Sequence, residues 1–204
     1  MMSSTERRSG RRPGSTETRD AILAAAREAF TDSGYRGATI RGIAAAAGVD
    51  PALVMHFFGN KETLFAEAMH PPFEPAAILG AALKANPDRA GETVASFFLE
   101  AWDSDSQRRS LLGLVRSAVT EEAAAAMVRD SLLGGVEGAL NEYGCDRPGL
   151  RASLIASQLI GLAIGRYIVR LQPFVEASRA ELVAAVAPAL QRYITGDIAK
   201  GDGS

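Results

Sequence analysis

Apolar residues recur at helical spacing through most of the chain, and this pattern predicts a protein built of α-helices. In the first clear case, Ile22, Ala26 and Phe30 fall on one face of a helix. Thr18 is a suitable N-cap for that helix, and Gly34 sits where a left-handed residue commonly ends one. Alanine and leucine, which favour helices, are abundant, whereas clusters of β-branched and aromatic residues are sparse. The predicted fold class is therefore all-α.

Two short helices follow, joined by a tight turn. The first begins after Thr39, a good N-cap, and ends at Gly48. Asp50 and Pro51 begin the second, with the aspartate as its cap and the proline at a position that needs no N–H. This is the helix-turn-helix arrangement, in which the second helix lies in the major groove of DNA. Small helical bundles also contain such hairpins, so the pattern alone does not establish DNA binding.

A run of prolines at positions 71, 72 and 75 marks the best domain boundary. Before it, Asn60 caps a fourth helix that runs from Lys61 to about Met69. We divide the chain into a disordered basic tail (1–17), a helix-turn-helix domain (18–70) and a second helical domain (71–204).

Ser178 and Glu181 form a capping box at the start of the last helix. The helices predicted in the second domain span about 76–85, 90–103, 106–118, 121–143, 148–171 and 178–195.

Charge changes this picture only a little. The net charge is −2; residues 1–70 carry 9 basic and 8 acidic residues, and the remainder carries 13 and 16. The N-terminal residues nevertheless concentrate arginine, which neutralises DNA phosphates and releases counterions. A solvated, disordered tail is the alternative interpretation of the same residues. These arginines are Arg7, Arg8, Arg11, Arg12 and Arg19.

Several classes of function lack the residues they need. Cys145 is the single cysteine, which excludes an intrachain disulfide and an all-cysteine metal site. His56 and His70 are the only histidines, and the motifs of nucleotide-binding and hydrolytic enzymes are missing, so we expect no metal, no cofactor and no enzymatic activity. Neither a signal peptide nor about 20 consecutive apolar residues occurs, so we expect a cytoplasmic protein that does not enter a membrane.

The run from Thr18 to Met69 resembles the N-terminal domain of the tetracycline-repressor (TetR) family of bacterial regulators over 52 contiguous residues. The features that carry the resemblance are Ile22, Ala26-x-x-x-Phe30, Gly34, Thr39-Ile40-Arg41-x-Ile43-Ala44, Gly48-Val49 and Phe58-x-x-Lys61. The remainder is similar to the family in being helical and in ending with two long helices. The resemblance implies a homodimer, a palindromic operator in double-stranded DNA, and repression relieved by a small-molecule effector. The expected architecture is a three-helix helix-turn-helix DNA-binding domain followed by a helical ligand-binding and dimerisation domain.

Matching the family position by position indicates which residues contact DNA. In this interpretation Asp50 acts mainly as a helix cap, and Lys61 meets a phosphate at the start of the fourth helix. The family usually has a tyrosine where this chain has Met55, which offers only an apolar contact, for example to a thymine methyl. For Arg41, His56 and Lys61 the alternative is an ordinary solvated side chain. The predicted DNA-binding residues are Thr39, Arg41, Asp50, Pro51, Ala52, Met55, His56 and Lys61.

Small side chains recur every fourth residue along the predicted helix 148–171, and such a stripe lets another helix approach closely. The stripe can serve a dimer interface or packing inside one chain. Because the resemblance implies a four-helix bundle made by two subunits, we expect the interface at or beside the two-fold axis. Its predicted residues are Ser153, Ser157, Gly161, Leu162, Gly165, Tyr167 and Leu190.

The middle helices carry apolar and aromatic residues that could line an effector cavity, since such sites are mostly apolar with a few polar groups. An ordinary hydrophobic core is the alternative for each of them. The predicted lining residues are Phe73, Phe97, Phe98, Trp102, Leu114 and Met127, with Arg116 and Ser117 as polar groups. Two rival functions remain: a helical protein–protein interaction module that keeps the helix-turn-helix fold without binding DNA, and a small helical enzyme.

Overall fold

A computed structural model of the chain describes residues 13–70 and 73–198. The predicted tail arginines Arg7, Arg8, Arg11 and Arg12 lie outside the described residues. Within the described part all regular structure is helical, which confirms the all-α prediction. The chain divides into two compact units, residues 1–69 and residues 70–204.

The N-terminal unit contains four helices: α1 (Pro13–Gly37), α2 (Ile40–Ala46), α3 (Pro51–Phe58) and α4 (Lys61–Ala68). Helix α1 begins upstream of Thr18, so the prediction that residues 13–17 are disordered is wrong, and so is the prediction that Thr18 caps the helix. Ser15, Thr16 and Glu17 are polar and exposed, and the segment carries no apolar periodicity from which a helix could be inferred. Gly34 interrupts α1 with φ 68° and ψ 177°, close to the predicted end of the helix.

The core of this unit lies between α1 and α4. Ile22 and Phe30 are fully buried, and the Phe30 ring meets the Phe65 ring edge-to-face with centroids 4.9 Å apart. Arg27 Nε donates a hydrogen bond of 2.9 Å to the carbonyl of Ala68, which satisfies a C-terminal acceptor of α4. The apolar faces predicted from periodicity are therefore the buried faces.

The second unit contains the remaining helices. Its α-helices are α5 (Pro75–Ala85), α6 (Ala90–Asp103), α7 (Asp105–Thr120), α8 (Glu122–Met127), α9 (Gly134–Tyr143), α10 (Pro148–Ala163), α11 (Gln172–Glu176) and α12 (Arg179–Ile194). π-Helical segments, Val128–Leu133 and Ile164–Ile168, continue α8 into α9 and extend α10. The predicted long helices are present, including the Ser178–Glu181 capping box of α12. The short helix α11 was not predicted.

Helices α6 and α12 pack in unusually close contact at Gly91. A Cβ added at Gly91 would lie 2.5 Å from the carbonyl oxygen of Ala187 and 2.6 Å from the backbone nitrogen of Gln191. The Gly91 N–H donates to Gln191 Oε1 at 2.8 Å, and Gln191 Nε2 donates to the carbonyl of Pro87 at 2.8 Å. Only glycine permits this approach, so Gly91 fixes the separation of the two helices.

The segment Pro148–Ile168 is long and apolar enough to cross a membrane by length and composition, and it is the one such segment among the described residues. A third of its most apolar window is buried inside the protein, and core helices pass the same test. Ala152, Ile155 and Leu162 from this segment lie in the main hydrophobic core of the second unit.

Candidate nucleic-acid interface and internal cavity

The turn between α2 and α3 is built by local capping. Thr39 Oγ1 accepts a hydrogen bond of 3.0 Å from the N–H of Gly42 and so begins α2. At the end of α2, Gly48 adopts φ 67°, a left-handed conformation that favours glycine. The N–H of Val49 then donates to the carbonyl of Ala44 at 2.9 Å, which closes the helix end. The turn is therefore defined by its own hydrogen bonds.

Helix α3 presents one apolar face to the core and a different face to solvent. Asp50 Oδ1 accepts a hydrogen bond of 2.7 Å from the N–H of Ala52, so its predicted role as a cap is confirmed. Val54 is fully buried on the inner side of the helix. The exposed face carries Ala52, Met55 and His56, which are neighbours on a helix because they are three and four residues apart. A short exposed helix of this kind can enter the major groove.

Lys61 lies at the N-terminus of α4, which Asn60 caps through a 2.7 Å hydrogen bond from the N–H of Thr63. The Lys61 ammonium nitrogen lies 4.5 Å from the centroid of the Tyr35 ring. Tyr35 donates a hydrogen bond of 2.8 Å to Glu62 Oε1. The pKa of Glu62 is lowered, first by a hydrogen bond from its own backbone and then by this one from Tyr35. Tyr35 therefore organises the charged start of α4, a role that the sequence analysis missed.

The predicted DNA-binding residues all lie in the N-terminal unit, on α2, α3, α4 and their caps. Thr39 and Arg41 are exposed at the start of α2. Pro51 is half-buried as the first residue of α3, and Lys61 is half-buried against Tyr35. The predicted residues thus bring together backbone donors at helix starts, one guanidinium and one ammonium group in the same unit as α3, a combination that suits a DNA backbone and groove.

The second unit contains a cavity of about 300 Å³ that is partly open to solvent. Of the predicted lining residues, Phe73, Phe97, Phe98, Trp102 and Leu114 do line it. Helices α5, α6, α7 and α10 contribute most of the remaining wall. The other lining residues are Pro75, Ile78, Leu79, Val94, Leu111, Val115, Ala118, Val119, Val128, Leu133, Val136, Ala152, Ile155, Ala156, Leu159, Ile160 and Ile164.

Three predicted lining residues do not line the cavity, and the prediction is wrong for them. Arg116 is exposed, whereas Ser117 and Met127 are buried elsewhere in the unit. Helix α7 turns residues 111, 114, 115, 118 and 119 towards the cavity. At about 100° per residue, positions 116 and 117 fall on the other side of that helix.

An aromatic cluster forms one side of the cavity. The rings of Phe73 and Phe97 meet edge-to-face at 5.2 Å, and Trp102 lies 5.8 Å from Phe98. Behind the wall, Tyr167 stacks on Trp102 at 5.2 Å and donates a hydrogen bond of 2.8 Å to Asp103 Oδ1. Burial, followed by this hydrogen bond, raises the pKa of Tyr167 to about 12, so its phenol is neutral at physiological pH.

Both π-helical segments border the cavity. Val128 and Leu133 come from the first segment and Ile164 from the second. Such segments are rare and occur frequently at functional sites. Both segments therefore contribute residues to the cavity wall.

The predicted dimer residues separate into exposed and buried groups. Ser153, Ser157 and Gly161 form an exposed face of α10. Leu162 and Leu190 lie in the hydrophobic core of their own chain, so they offer no surface to a partner and the prediction is wrong for them.

Gly165 and Tyr167 also pack within their own chain. A Cβ added at Gly165 would meet the Phe174 ring at 3.1 Å, and Tyr167 stacks on Trp102. The small-residue stripe therefore serves two purposes: its first three members face outwards, and its last member lets the chain fold back over α10.

Among residues 13–70 and 73–198 no three His, Cys, Asp or Glu side chains gather into a metal site.

Two short helices joined by a glycine turn, with an exposed face on the second, form the helix-turn-helix arrangement found in DNA-binding transcriptional regulators. Residues 22–68 match the bacterial regulatory proteins of the tetR family, and residues 88–194 match the tetracyclin repressor-like C-terminal domain. The chain therefore belongs to the tetR family, which confirms the resemblance seen in the sequence and the predicted class of function.

Similar proteins agree with this membership. A TetR-family regulator from Streptomyces coelicolor A3 is 38% identical, with a TM-score of 0.71 over 91% of this chain and 99% of that one. NalD, the secondary repressor of the MexAB-OprM multidrug efflux pump in Pseudomonas aeruginosa, shares the fold at 22% identity, with a TM-score of 0.66 over 86% of this chain and 96% of that one. The transcriptional repressor AcnR from Corynebacterium glutamicum is 44% identical over 50 residues, which are 24% of this chain and 27% of AcnR. The chain thus matches about a quarter of the length of that curated relative.

Proposed function

We propose that the protein is a homodimeric transcriptional repressor that binds a palindromic operator and is released from it by a small-molecule effector. The observation that carries the proposal is the exposed face of α3, with Ala52, Met55 and His56 held outwards by capped helix ends and by the turn at Gly48. Arg41 near the start of α2 and Lys61 at the start of α4 supply cations in the same unit. A repressor acting on chromosomal DNA works in the cytoplasm, which is where we place it.

The exposed face of α10 supports the homodimer. Leu150, Ser153, Ser157 and Gly161 are exposed and share one side of this helix at about 100° per residue. The alanines Ala184 and Ala185 of α12 are also exposed. Small and apolar side chains let a second copy approach closely and would bury surface that the single chain leaves in water. A dimer would present two recognition helices about 34 Å apart, one turn of DNA.

The cavity supports control by an effector. Its wall is formed by α5, α6, α7 and α10 of the second unit, and a ligand there acts on operator affinity only if it binds the two states of the dimer unequally. In our account the ligand favours a state in which the recognition helices no longer match successive major grooves. That AcnR and NalD are named as repressors favours repression over activation as the outcome of DNA binding.

Sedimentation equilibrium of a matched pair of variants tests the dimer. Gly161 and Gly138 both lie inside helices, and a Cβ added at either would meet nothing within 4 Å among the described residues. Gly161→Trp should shift the protein towards monomer, because the indole would obstruct the proposed interface. Gly138→Trp should sediment with the same dimer mass as the wild type. A Gly161→Trp protein that stays as dimeric as the wild type would reject this interface.

Operator titrations test the remainder of the proposal. Lengthening the spacer of a bound palindrome by half a helical turn should reduce the affinity of the dimer, because the second recognition helix would then face the wrong side of the duplex. The isolated half-site should bind about as weakly as the lengthened site. Equal affinity for the original and the lengthened palindrome would show that the two halves are bound independently.

A further inference from the structure

The wall of the cavity differs from the usual composition of a ligand site. Sites for small molecules generally combine apolar walls with a few polar groups that fix orientation. Here all 22 lining residues are apolar, and the Trp102 indole nitrogen is the one side-chain polar atom among these described lining residues. A ligand in this cavity therefore gains its affinity from hydrocarbon burial and from contact with aromatic rings.

Charged groups beside Trp102 already have partners. Arg108 donates to the carbonyl of Trp102 at 3.5 Å and pairs with Asp105. Asp103 Oδ1 accepts from Tyr167, and Asp103 Oδ2 accepts a 3.0 Å hydrogen bond from Arg179 Nε. Tyr167 stands behind Trp102 and does not line the cavity. A charged ligand would thus lose its water without gaining a counter-ion, and burying an unpaired charge is far more costly than burying hydrocarbon.

The volume limits the size of the ligand. An apolar protein cavity of about 150 Å³ stays dry and binds benzene. This cavity is about 300 Å³ and suits two to three aromatic rings or a chain of roughly a dozen carbons. Val119 and Ile160 line the cavity and are also exposed to solvent, so the opening lies between α7 and α10.

We propose that the effector is an uncharged, hydrocarbon-rich molecule of this size, and that the cavity discriminates against charged molecules of the same shape. This inference rests on the proposed repressor function and adds the chemical class of its effector. Ligand binding alone, measured without DNA, tests the chemical class, so its outcome is independent of whether an operator exists.

The experiment compares two fluorescent probes that share one aromatic skeleton. N-Phenyl-1-naphthylamine is neutral, and 8-anilino-1-naphthalenesulfonate is the same skeleton carrying a sulfonate. Trp102 is the only tryptophan of the chain and lies in the cavity wall, so energy transfer from it reports binding at this site. With the full-length protein we expect saturable transfer to the neutral probe and a dissociation constant at least about tenfold lower than that of the sulfonate.

Cavity-filling variants locate the bound probe. Ala156→Phe and Ala118→Phe each place a ring in the cavity. Because the ring occupies cavity volume, each variant should lower the affinity for the neutral probe by about tenfold or more. Ala81→Phe is the matched control, because Ala81 is exposed on α5 and does not line the cavity. It should bind the probe as the wild type does. Circular dichroism confirms that each variant is folded, and having two filling positions guards against one that unfolds.

Three results would overturn the inference: equal affinity for the neutral and charged probes, no saturable transfer to the neutral probe, or unchanged binding in both folded cavity-filling variants. A separate titration distinguishes the proposed function from the ligand class. If the neutral probe binds as expected but leaves operator affinity unchanged at saturation, release by an effector is wrong, while the ligand class of the cavity stands.

Discussion

Lys61 holds its ammonium nitrogen 4.5 Å from the centroid of the Tyr35 ring. The ring of Tyr35 also meets Phe65 edge-to-face at 5.1 Å, and its hydroxyl donates to Glu62. Because Phe65 is buried, the lysine rests on an aromatic ring that is anchored in the core of the N-terminal unit. This contact joins the end of α1 to the start of α4, so a cation predicted to meet a phosphate has a defined position.

Replacing Lys61 with alanine should weaken DNA binding about equally for all sequences, because a phosphate contact carries no base information. The slope of log affinity against log salt should fall in magnitude by about 1. Tyr35→Leu removes the ring beneath the ammonium group and should give a smaller loss. Fluorescence anisotropy over a series of salt concentrations measures both quantities.

Lys84→Ala is the matched control for this lysine, since Lys84 is exposed on α5 in the second unit. This variant should have the same affinity for DNA and the same salt slope as the wild type. An unchanged salt slope in Lys61→Ala would show that Lys61 does not contact a phosphate.

His56 should act on sequence preference more than on overall affinity. It lies on the exposed face of α3 beside Met55, where a side chain can reach base edges in the major groove. His56→Ala should relax the preference at one position of each half-site, at a cost of about 1–3 kcal/mol for the preferred base. Affinities for single-base operator variants measure this effect. A uniform loss over all sequences would instead assign His56 to the DNA backbone.

Gly91→Ala should destabilise the protein by about 1–3 kcal/mol, because the added methyl forces α6 and α12 apart. The clash is with backbone atoms of Ala187 and Gln191, which cannot rotate away. Gly80→Ala is the control: a Cβ there would meet nothing within 4 Å among the described residues, and alanine favours the helix. Urea unfolding compares the two, and equal stabilities would refute the close approach at Gly91.

Arg151 is buried and donates to the carbonyls of Tyr193 and Gly196 at 2.8 and 2.9 Å, so it satisfies the end of α12 from α10. Arg151→Met keeps most of the side-chain volume but leaves these acceptors without the guanidinium, which should cost about 2–3 kcal/mol. Arg109→Met, at an exposed position of α7, should be nearly neutral. Thermal unfolding that fails to separate the two variants would contradict this role.

Tyr167 should make stability depend on pH in the alkaline range. Its pKa is raised from the ordinary 10 to about 12, mainly by burial. Its contribution to stability is therefore complete below about pH 10 and is lost as the pH rises towards 12, because the unfolded chain releases the proton first. Urea unfolding measures the free energy of unfolding of the wild type and of Tyr167→Phe, and the difference between the two should change between about pH 10 and pH 12. A constant difference would show that the pKa of Tyr167 is not raised.

Local features were predictable from the sequence. Thr39, Asp50, Asn60 and Ser178 cap the helices that follow them, because an N-cap depends on a few neighbouring residues only. The exposed face of α3 follows from the same local periodicity. The candidate DNA-binding surface was therefore largely predictable, apart from the contact between Tyr35 and Lys61.

Features that depend on tertiary packing were not predictable. The stripe of small residues on α10 does not show which neighbour each residue faces. Nor does the sequence show that Leu162 of α10 and Leu190 of α12 lie in the core of the chain and not at an interface. Arg116 is a different case, because helical periodicity already separates it from Leu114 by about 200° and so disfavours both residues lining one cavity. The π-helical segments were not predicted from the sequence either.

The most direct test of the account is selection of DNA from a random-sequence library by the purified protein, run in parallel with the double variant Arg41→Ala, Lys61→Ala. Both residues lie in the N-terminal helix-turn-helix unit, and neither belongs to its hydrophobic core. The account predicts enrichment of a palindrome whose half-site centres lie about one helical turn apart, and loss of that enrichment in the double variant. If no sequence is enriched by the wild type at low or moderate salt, the repressor account is wrong, and a helical protein–protein module becomes the better description.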